Sequence, residues 1–331
     1  MKSRRRSTSA PDPASWLLRL GALVLAIGVG AFGFIYYQDQ HVDAGPSLIG
    51  RQTQTAETAV RKAPNNIAAR LALAASYTSD KQLDDALAQY DIILKADKGN
   101  RAGLLGRGAV LMSKGDLTAA TAAYHQVTGV ATKGEFAGAD PQLQEAHYFL
   151  GSIAVTQGKT REALTELQAA LKIEPTDSDA LYLLGVTRLR DGTPQLAVDA
   201  LKRALLFVPT GWCEPYTQLA LAQGKLGLAA QATYAGAMAD FCHKKPVQAK
   251  TRLTTLIRGP EAVDALLGLA LIAETESSNP EAVSWYKKVL VVDRKNVTAI
   301  SGMSRLGVGP TAGKTSPAPK AAGSSTTQGP S

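Results

Sequence analysis

The chain has 331 residues, of which 45% are apolar and only 6% aromatic, and its formal net charge is +8. This length suits two average domains or one long array of repeats, and the low aromatic content with abundant alanine favours packed helices over an all-β fold. Part of the excess positive charge lies in the first six residues, MKSRRR, and part in the lysine-containing C-terminal segment. No basic face with a reading element is evident, so nucleic acid is not an expected partner.

Residues 16–37, WLLRLGALVLAIGVGAFGFIYY, carry no charge after Arg19. A helix needs about 20 apolar residues to cross a bilayer, and aromatic residues prefer its two interfaces. The run is therefore predicted to be an uncleaved, single-pass transmembrane anchor. The basic residues before it place residues 1–15 in the cytoplasm and the remainder of the chain on the extracytoplasmic side of the inner membrane. A signal peptide cleaved before Gly45 is the alternative, although the apolar run is long for one.

Three glycines of this run, Gly28, Gly30 and Gly33, match the spacing G-x-G-x-x-G of dinucleotide-binding loops. No strand precedes them and no βαβ unit follows, so a phosphate-binding role is rejected. Ala22, Ala26 and Gly30 instead form a stripe of small residues at intervals of four. Such a stripe would let a helix from a second copy approach closely, so that the chain self-associates in the membrane. The alternative is that these small residues simply face lipid.

Two neighbouring segments in the middle of the chain repeat with a period of 34 residues. EAHYFLGSIAVTQGKTREALTELQAALKIEP starts at Glu145, and DALYLLGVTRLRDGTPQLAVDALKRALLFVP starts at Asp179. Gly151 corresponds to Gly185, and the same offset relates Gly158 to Gly192, Ala163 to Ala197, Ala170 to Ala204, and Pro175 to Pro209. Each unit shows the apolar spacing of two amphipathic helices, with a glycine where the first helix must end and turn.

With this period and pattern, the chain resembles the tetratricopeptide-repeat family, whose unit is a helix–turn–helix of 34 residues. The resemblance implies an all-α solenoid of about six repeats over residues 65–306. A linker and one helix are expected over residues 38–64, and a disordered tail over residues 307–331. The units are placed near residues 66–99, 100–128, 144–177, 178–211, 212–243 and 262–295, with a cap at 296–306, an irregular insertion at 129–141 and an insertion carrying an extra helix at 243–260.

Motifs for chemistry are missing from the sequence. Its four histidines, His41, His125, His147 and His243, form no H-E-x-x-H zinc motif, and neither C-x-x-C-H nor G-x-S-x-G occurs. His147 lies on a predicted first helix, where a structural imidazole is expected. We therefore expect no enzymatic activity, no metal and no cofactor.

The two cysteines, Cys213 and Cys242, lie at the start of the first helix and the end of the second helix in the fifth repeat. Antiparallel packing of the two helices would bring them side by side. In an oxidising compartment we expect one intramolecular disulfide, and two separate buried thiols are the alternative.

The family implies that partners bind on the inner face of the solenoid, which the first helix of each repeat forms. By position in the unit, the residues expected there are Leu105, Ala109, Met112, Tyr148, Ser152, Val155, Tyr182, Val186, Arg190 and Lys225. Tyr148 and Tyr182 occupy equivalent positions, so a paired aromatic contact with a partner and packing between repeats are both open. The basic clamp with which some members hold a carboxyl terminus is replaced here by Leu71, Ala75, Leu105 and Ala109.

These features predict a membrane-anchored, non-enzymatic scaffold that binds protein or peptide partners during assembly of an extracytoplasmic envelope complex, of the cytochrome-maturation, pilus or secretion type. The alternative is an organelle import or docking receptor with its repeats in the cytosol.

Overall fold

The structure is a computed structural model that describes residues 29–34, 36, 48–131, 137–207 and 211–309, and the regular structure in these ranges is helical. The chain divides into two compact units, residues 1–86 and 87–331. The predicted all-α fold is confirmed.

Most of the predicted anchor, residues 16–37 with Ala22 and Ala26, lies outside the described residues, as does the tail from residue 310. Residues 29–34 and 36 are helical, and the position of a Cβ on Gly30 would meet only open space. Within the described ranges, every helix is too short or too polar to cross a bilayer.

The first unit pairs α1 (Leu48–Lys62) with α2 (Ile67–Ser79), and α3 (Leu83–Ala96) begins in it. Leu73 and Ala74 of α2 are buried. Polar contacts join the two helices: the hydroxyl oxygens of Thr53 and Ser76 lie 2.7 Å apart, and the Tyr77 hydroxyl donates to Glu57 Oε1 at 2.9 Å. The one helix expected within residues 38–64 corresponds to α1.

The second unit is a succession of antiparallel helices in which each packs on the next. Its helices are α4 (Arg101–Ser113), α5 (Leu117–Ala131), α6 (Pro141–Thr156), α7 (Thr160–Ile173), α8 (Ser178–Arg190), α9 (Pro194–Phe207), α10 (Glu214–Lys225), α11 (Ala229–Cys242), α12 (Pro246–Leu256), α13 (Ala262–Thr275), α14 (Asn279–Val292) and α15 (Val297–Arg305).

Close approach of paired helices explains the glycines of the repeat. A Cβ on Gly151 of α6 would lie 2.7 Å from Cγ of Leu167 on α7, and a Cβ on Gly185 of α8 would lie 2.6 Å from Cγ of Leu201 on α9. Both leucines are fully buried. Any larger residue at these two positions would push the hairpin apart, because the interior is close-packed.

The turns within hairpins need a left-handed residue. Gly158, after α6, has a φ of +72°, and Gly192, after α8, has a φ of +74°. Between α13 and α14 the same geometry is adopted by Ser277, at +60°. The sixth repeat therefore keeps the turn without a glycine at this position.

The two insertions differ from each other. α5 continues to Ala131, so residues 129–131 are helical and the expected irregular loop begins later than its sequence indicates. The extension is stabilised because Val127 and Ala131 are buried. The second insertion contains α12, which packs between α11 and α13 through the buried residues Ala249 and Leu253.

Candidate functional site

The first helices of the second, third, fourth and fifth repeats, α4, α6, α8 and α10, form a surface that we call the A face. Each of these helices contacts its partner in the hairpin, and α4 also contacts α6, α6 contacts α8, and α8 contacts α10. The A face is therefore one continuous surface, whereas each hairpin alone would offer a single helix.

Side chains join neighbouring helices of the A face. Arg101 at the start of α4 forms an ion pair with Asp140, and Gln144 of α6 donates to Asp177 before α8. At the other end, Arg190 Nη1 donates to the Val155 carbonyl at 3.0 Å. These contacts fix the spacing between successive helices and so define where side chains of the face project.

Asp140 and Asp177 are also the N-caps of α6 and α8. The Asp140 carboxylate accepts from the amides of Gln142 and Leu143 at 3.0 and 3.3 Å, and Asp177 accepts from the Ala180 amide at 3.0 Å. Burial opposes the charged form of Asp140, but the hydrogen bond from Arg101 and the two amides hold its pKa below the usual value. Asp140 is therefore ionised at neutral pH, and the same carboxylate both caps α6 and pairs with Arg101 of α4.

Leu105 is not available to a partner, which corrects the sequence interpretation. It is 7% exposed and lies in a core cluster with Leu104, Tyr124 and Val127. The repeat phase assigned this leucine to the surface, but α4 turns it towards the core that α5 and α6 also form. Met112 packs at the edge of the same cluster, where its Sδ accepts from the Tyr124 hydroxyl at 3.5 Å.

Tyr148 of α6 and Tyr182 of α8 both pack against neighbouring side chains, the second of the two roles left open by the sequence. Tyr148 packs edge-on against Phe149, with ring centroids 5.3 Å apart, and Tyr182 packs against the core around Leu201, yet both rings remain partly exposed. Burial, and then Asp179 and Asp177, raise the pKa of Tyr148. Each ring is therefore packed on one side and partly exposed to solvent.

The other predicted residues of the A face follow one gradient of exposure. Ala109, Ser152, Val155 and Val186 are partly buried between neighbouring helices, whereas Arg190 and Lys225, at the C-terminal ends of α8 and α10, are exposed. The structure therefore gathers small and apolar groups along the middle of the face and charged groups at its edge.

A disulfide joins Cys213 to Cys242, with their Cα atoms 5.4 Å apart. Cys213 is the N-cap of α10 and makes no capping hydrogen bond through its side chain, and Cys242 ends α11. The bridge thus closes the fifth hairpin at its open end, where the carboxylate caps of α6 and α8 have no counterpart.

Two residues of the A face were missed by sequence reasoning. The Trp212 ring lies against Tyr182, with centroids 5.0 Å apart and planes at 59°. Glu214 is the first residue of α10. The pKa of Tyr182 is raised first by burial of its ring and then by the negative charge of Glu214, whereas the positive charge of Arg190 lowers it. Both residues flank Cys213, and their position next to a cysteine expected to form a disulfide is the only feature of the sequence that pointed to them.

In the described part of the chain, no group of three His, Cys, Asp or Glu side chains is arranged to hold a metal ion. His147 Nδ1 lies 2.6 Å from Glu166 Oε2, which joins α6 to α7 within one hairpin.

Comparisons with known proteins support the repeat. The sequence profile of the tetratricopeptide repeat matches residues 70–131, 148–211 and 246–296, which is more than half of the chain. Over 153 residues the chain is 27% identical to the cellulose synthase 1 operon protein C of Komagataeibacter xylinus, and this covers 46% of the chain and 11% of that protein. The chain thus spans about a ninth of the length of this curated relative.

Solved structures with a similar fold include the MamA protein, at 24% identity and a TM-score of 0.47 over 55% of this chain and 94% of that one. YrrB, described as a TPR protein with an unusual peptide-binding site, has 19% identity and a TM-score of 0.48 over 62% of this chain and 100% of that one. From the repeat spacing, the helical hairpins and the profile match together, we conclude that the chain belongs to the tetratricopeptide-repeat family.

Proposed function

We propose that this protein is a non-enzymatic scaffold whose A face binds a protein or peptide partner. The observation that carries the proposal is the continuity of this face: α4, α6, α8 and α10 contact one another directly and present partly exposed Tyr148 and Tyr182 rings. Extended surfaces of stacked repeats are binding surfaces of this architecture, and rigid aromatic residues are favoured at interfaces.

We further propose that residues 16–37 anchor the chain and that the repeats lie on the extracytoplasmic side of a bacterial inner membrane, within an envelope assembly pathway. Two observations support this location. The Cys213–Cys242 bridge supports the extracytoplasmic side, because disulfides persist in an oxidising compartment. The anchor is supported by the helical residues Phe32, Phe34 and Tyr36, which are 72%, 61% and 58% exposed, as lipid-facing residues would be.

Photo-crosslinking tests the binding face. A photoreactive amino acid at position 148 or 182 is expected to capture the same partner, whereas one at Gln168, exposed on α7, is expected not to. The captured protein is then purified, and its affinity for wild type is compared with that for Val186→Arg. Equal affinity, or only self-contacts from both positions, would refute binding on the A face.

Topology is tested by a reporter inserted after residue 306 that is active on one side of the membrane only. Activity outside the cytoplasm is expected. Activity in the cytosol would overturn the proposed location and favour the docking-receptor alternative.

A further inference from the structure

Two aromatic rings pack together at the A face, and a carboxylate lies beside them in sequence, at the start of α10. The ring centroids of Tyr182 and Trp212 are 5.0 Å apart, and the ring planes are inclined by 59°. Both side chains are partly exposed. Glu214 lies two residues after Trp212, at the first position of α10, and is exposed. We call these three residues the aromatic corner.

The chemistry of the aromatic corner suits a cation. The faces of Trp and Tyr rings attract ammonium and guanidinium groups, and a neighbouring carboxylate adds a direct ion pair. Within the ranges that the structure describes, no lysine or arginine forms an ion pair with Glu214. Its side chain is exposed to solvent.

The preceding repeat has a related arrangement. Burial is the largest cause of the raised pKa of Tyr148 on α6. The negative charges of Asp179 and Asp177, at the start of α8, raise it further. At two successive steps, then, a tyrosine of one A-face helix lies near a carboxylate at the start of the next. Carboxylates are favoured at helix N-termini, which explains why this edge of the face is acidic.

Basic residues lie at the opposite edge, where two of them already interact with groups of this chain. Arg190 donates to the Val155 carbonyl, and Arg188 pairs with Asp191 at 3.8 Å. Along α8 and α10 the A face thus has an acidic edge at the helix N-termini and a basic edge at the C-termini, whereas α4 begins with Arg101. Because the whole chain carries a net charge of +8, a basic ligand that binds it needs this local acidic edge rather than the overall field.

We propose that Tyr182, Trp212 and Glu214 form a subsite for a lysine or arginine side chain of an extended partner segment, and that the Cys213–Cys242 bridge holds this subsite in place. The proposal rests on the proposed binding function of the A face. Cys213 lies between Trp212 and Glu214, so its bond to the end of α11 restrains the backbone of both neighbours. Neighbouring helices pack about 8–10 Å apart. Three residues of an extended segment in the polyproline II conformation span about 9 Å and return to the same face, so basic residues are expected at every third position.

Peptide binding to the full chain in mild detergent tests the subsite. The probe is a fluorescent peptide, Ac-SGKSGKSGKSG, with lysines at every third position, and the comparison peptide has glutamates in their place. Fluorescence anisotropy at low salt is expected to give at least tenfold tighter binding of the lysine peptide. Trp212→Leu and Glu214→Gln are each expected to weaken that binding by about threefold to tenfold.

Glu162→Gln is the matched control, because Glu162 is also a first-turn residue but belongs to α7, the second helix of its hairpin. It removes the same charge and is expected to leave lysine-peptide binding within about twofold of wild type. Circular dichroism and the mass of the intact disulfide show whether each variant is folded. Cys213→Ser/Cys242→Ser, with far-UV signal retained, is expected to weaken lysine-peptide binding as Trp212→Leu does.

Three results would overturn the proposal: equal binding of the two peptides to wild type, wild-type affinity in both Trp212→Leu and Glu214→Gln, or equal losses in Glu214→Gln and Glu162→Gln. Crosslinks from positions 148 and 182 to a partner whose affinity is insensitive to these variants would retain the proposed function and reject the cation subsite. Lysine-peptide binding without any partner crosslink from either position would support the subsite and reject the proposed function.

Discussion

The hairpins α6–α9 and the hairpin α10–α11 reach the same topology by different means. α6 and α8 begin at aspartate caps, pack glycine against a buried leucine and lie in the longest exact repeat of the sequence. α10 begins at a cysteine without a capping hydrogen bond and is tied covalently to the end of α11. The family profile covers residues 148–211 and resumes at residue 246, so it omits the bridged hairpin.

Core composition gives a physical reason for this difference. α9 buries Leu201 and Leu205, whereas the buried residues of α11 are three alanines and Met238. An alanine removes far less apolar surface from water than a leucine does, so the bridged hairpin gains less from the hydrophobic effect. A covalent link that restricts the unfolded chain offsets part of that deficit.

Removing the bridge is expected to give the largest effect. Cys213→Ser/Cys242→Ser should lower the free energy of unfolding by about 3–4 kcal/mol on the loop-entropy model for a loop of this length, and amides of α10 and α11 should exchange faster than those of α6–α9. Denaturant unfolding and hydrogen exchange measure both. A reductant should destabilise wild type and leave the double variant unchanged; uniform exchange along the array would contradict local stabilisation by the bridge.

Crowding at the glycine position separates the two regions next. Gly151→Ala should cost about 1–3 kcal/mol because its Cβ would meet Leu167. In the bridged hairpin the corresponding residue is already Ala220, and Ala220→Gly should cost at most about 1 kcal/mol through helix propensity. Gly129→Ala, in α5 with open space around its Cβ, is the control and should be stabilising. Equal losses in Gly151→Ala and Ala220→Gly would show that crowding is not what distinguishes them.

The turn between paired helices is what the two regions share. Gly158 and Gly227 have φ values of +72° and +71°, and neither has a neighbour within 4 Å of a Cβ. Gly158→Ala and Gly227→Ala should therefore cost similar amounts, about 1 kcal/mol each, through backbone strain alone. Thermal unfolding compares them, and a much larger loss at Gly227 would mean that the bridged hairpin adds strain of its own.

The carboxylate cap of α6 predicts the smallest difference, seen in pH dependence. The folded pKa of Asp140 is lowered, so its contribution is fully present above the unfolded pKa and is lost as the pH falls through the folded pKa. Below about pH 4, wild type should lose stability more steeply than Asp140→Asn. Urea unfolding from pH 7 to pH 2 measures this slope, and identical slopes would remove Asp140 from the acid response.

The amino-acid sequence by itself determined the architecture. A period of 34 residues and amphipathic spacing specify helical hairpins, because each helix must bury one face against its neighbour. The glycines at Gly151 and Gly158 marked a close crossing and a left-handed turn, and both depend on local backbone and side-chain size. Cys213 and Cys242 were also placed correctly, since antiparallel helices of similar length return to their starting point.

Only the tertiary structure decided which side chains a partner can reach. Leu105 has the repeat position of a surface residue but lies in the core, because neighbouring repeats set the rotation of α4. Trp212 belongs to no helix and has no periodic position, so its contact with Tyr182 depends on how two repeats stack. Periodicity fixes contacts within a repeating unit, whereas contacts between units depend on packing angles that the pattern does not encode.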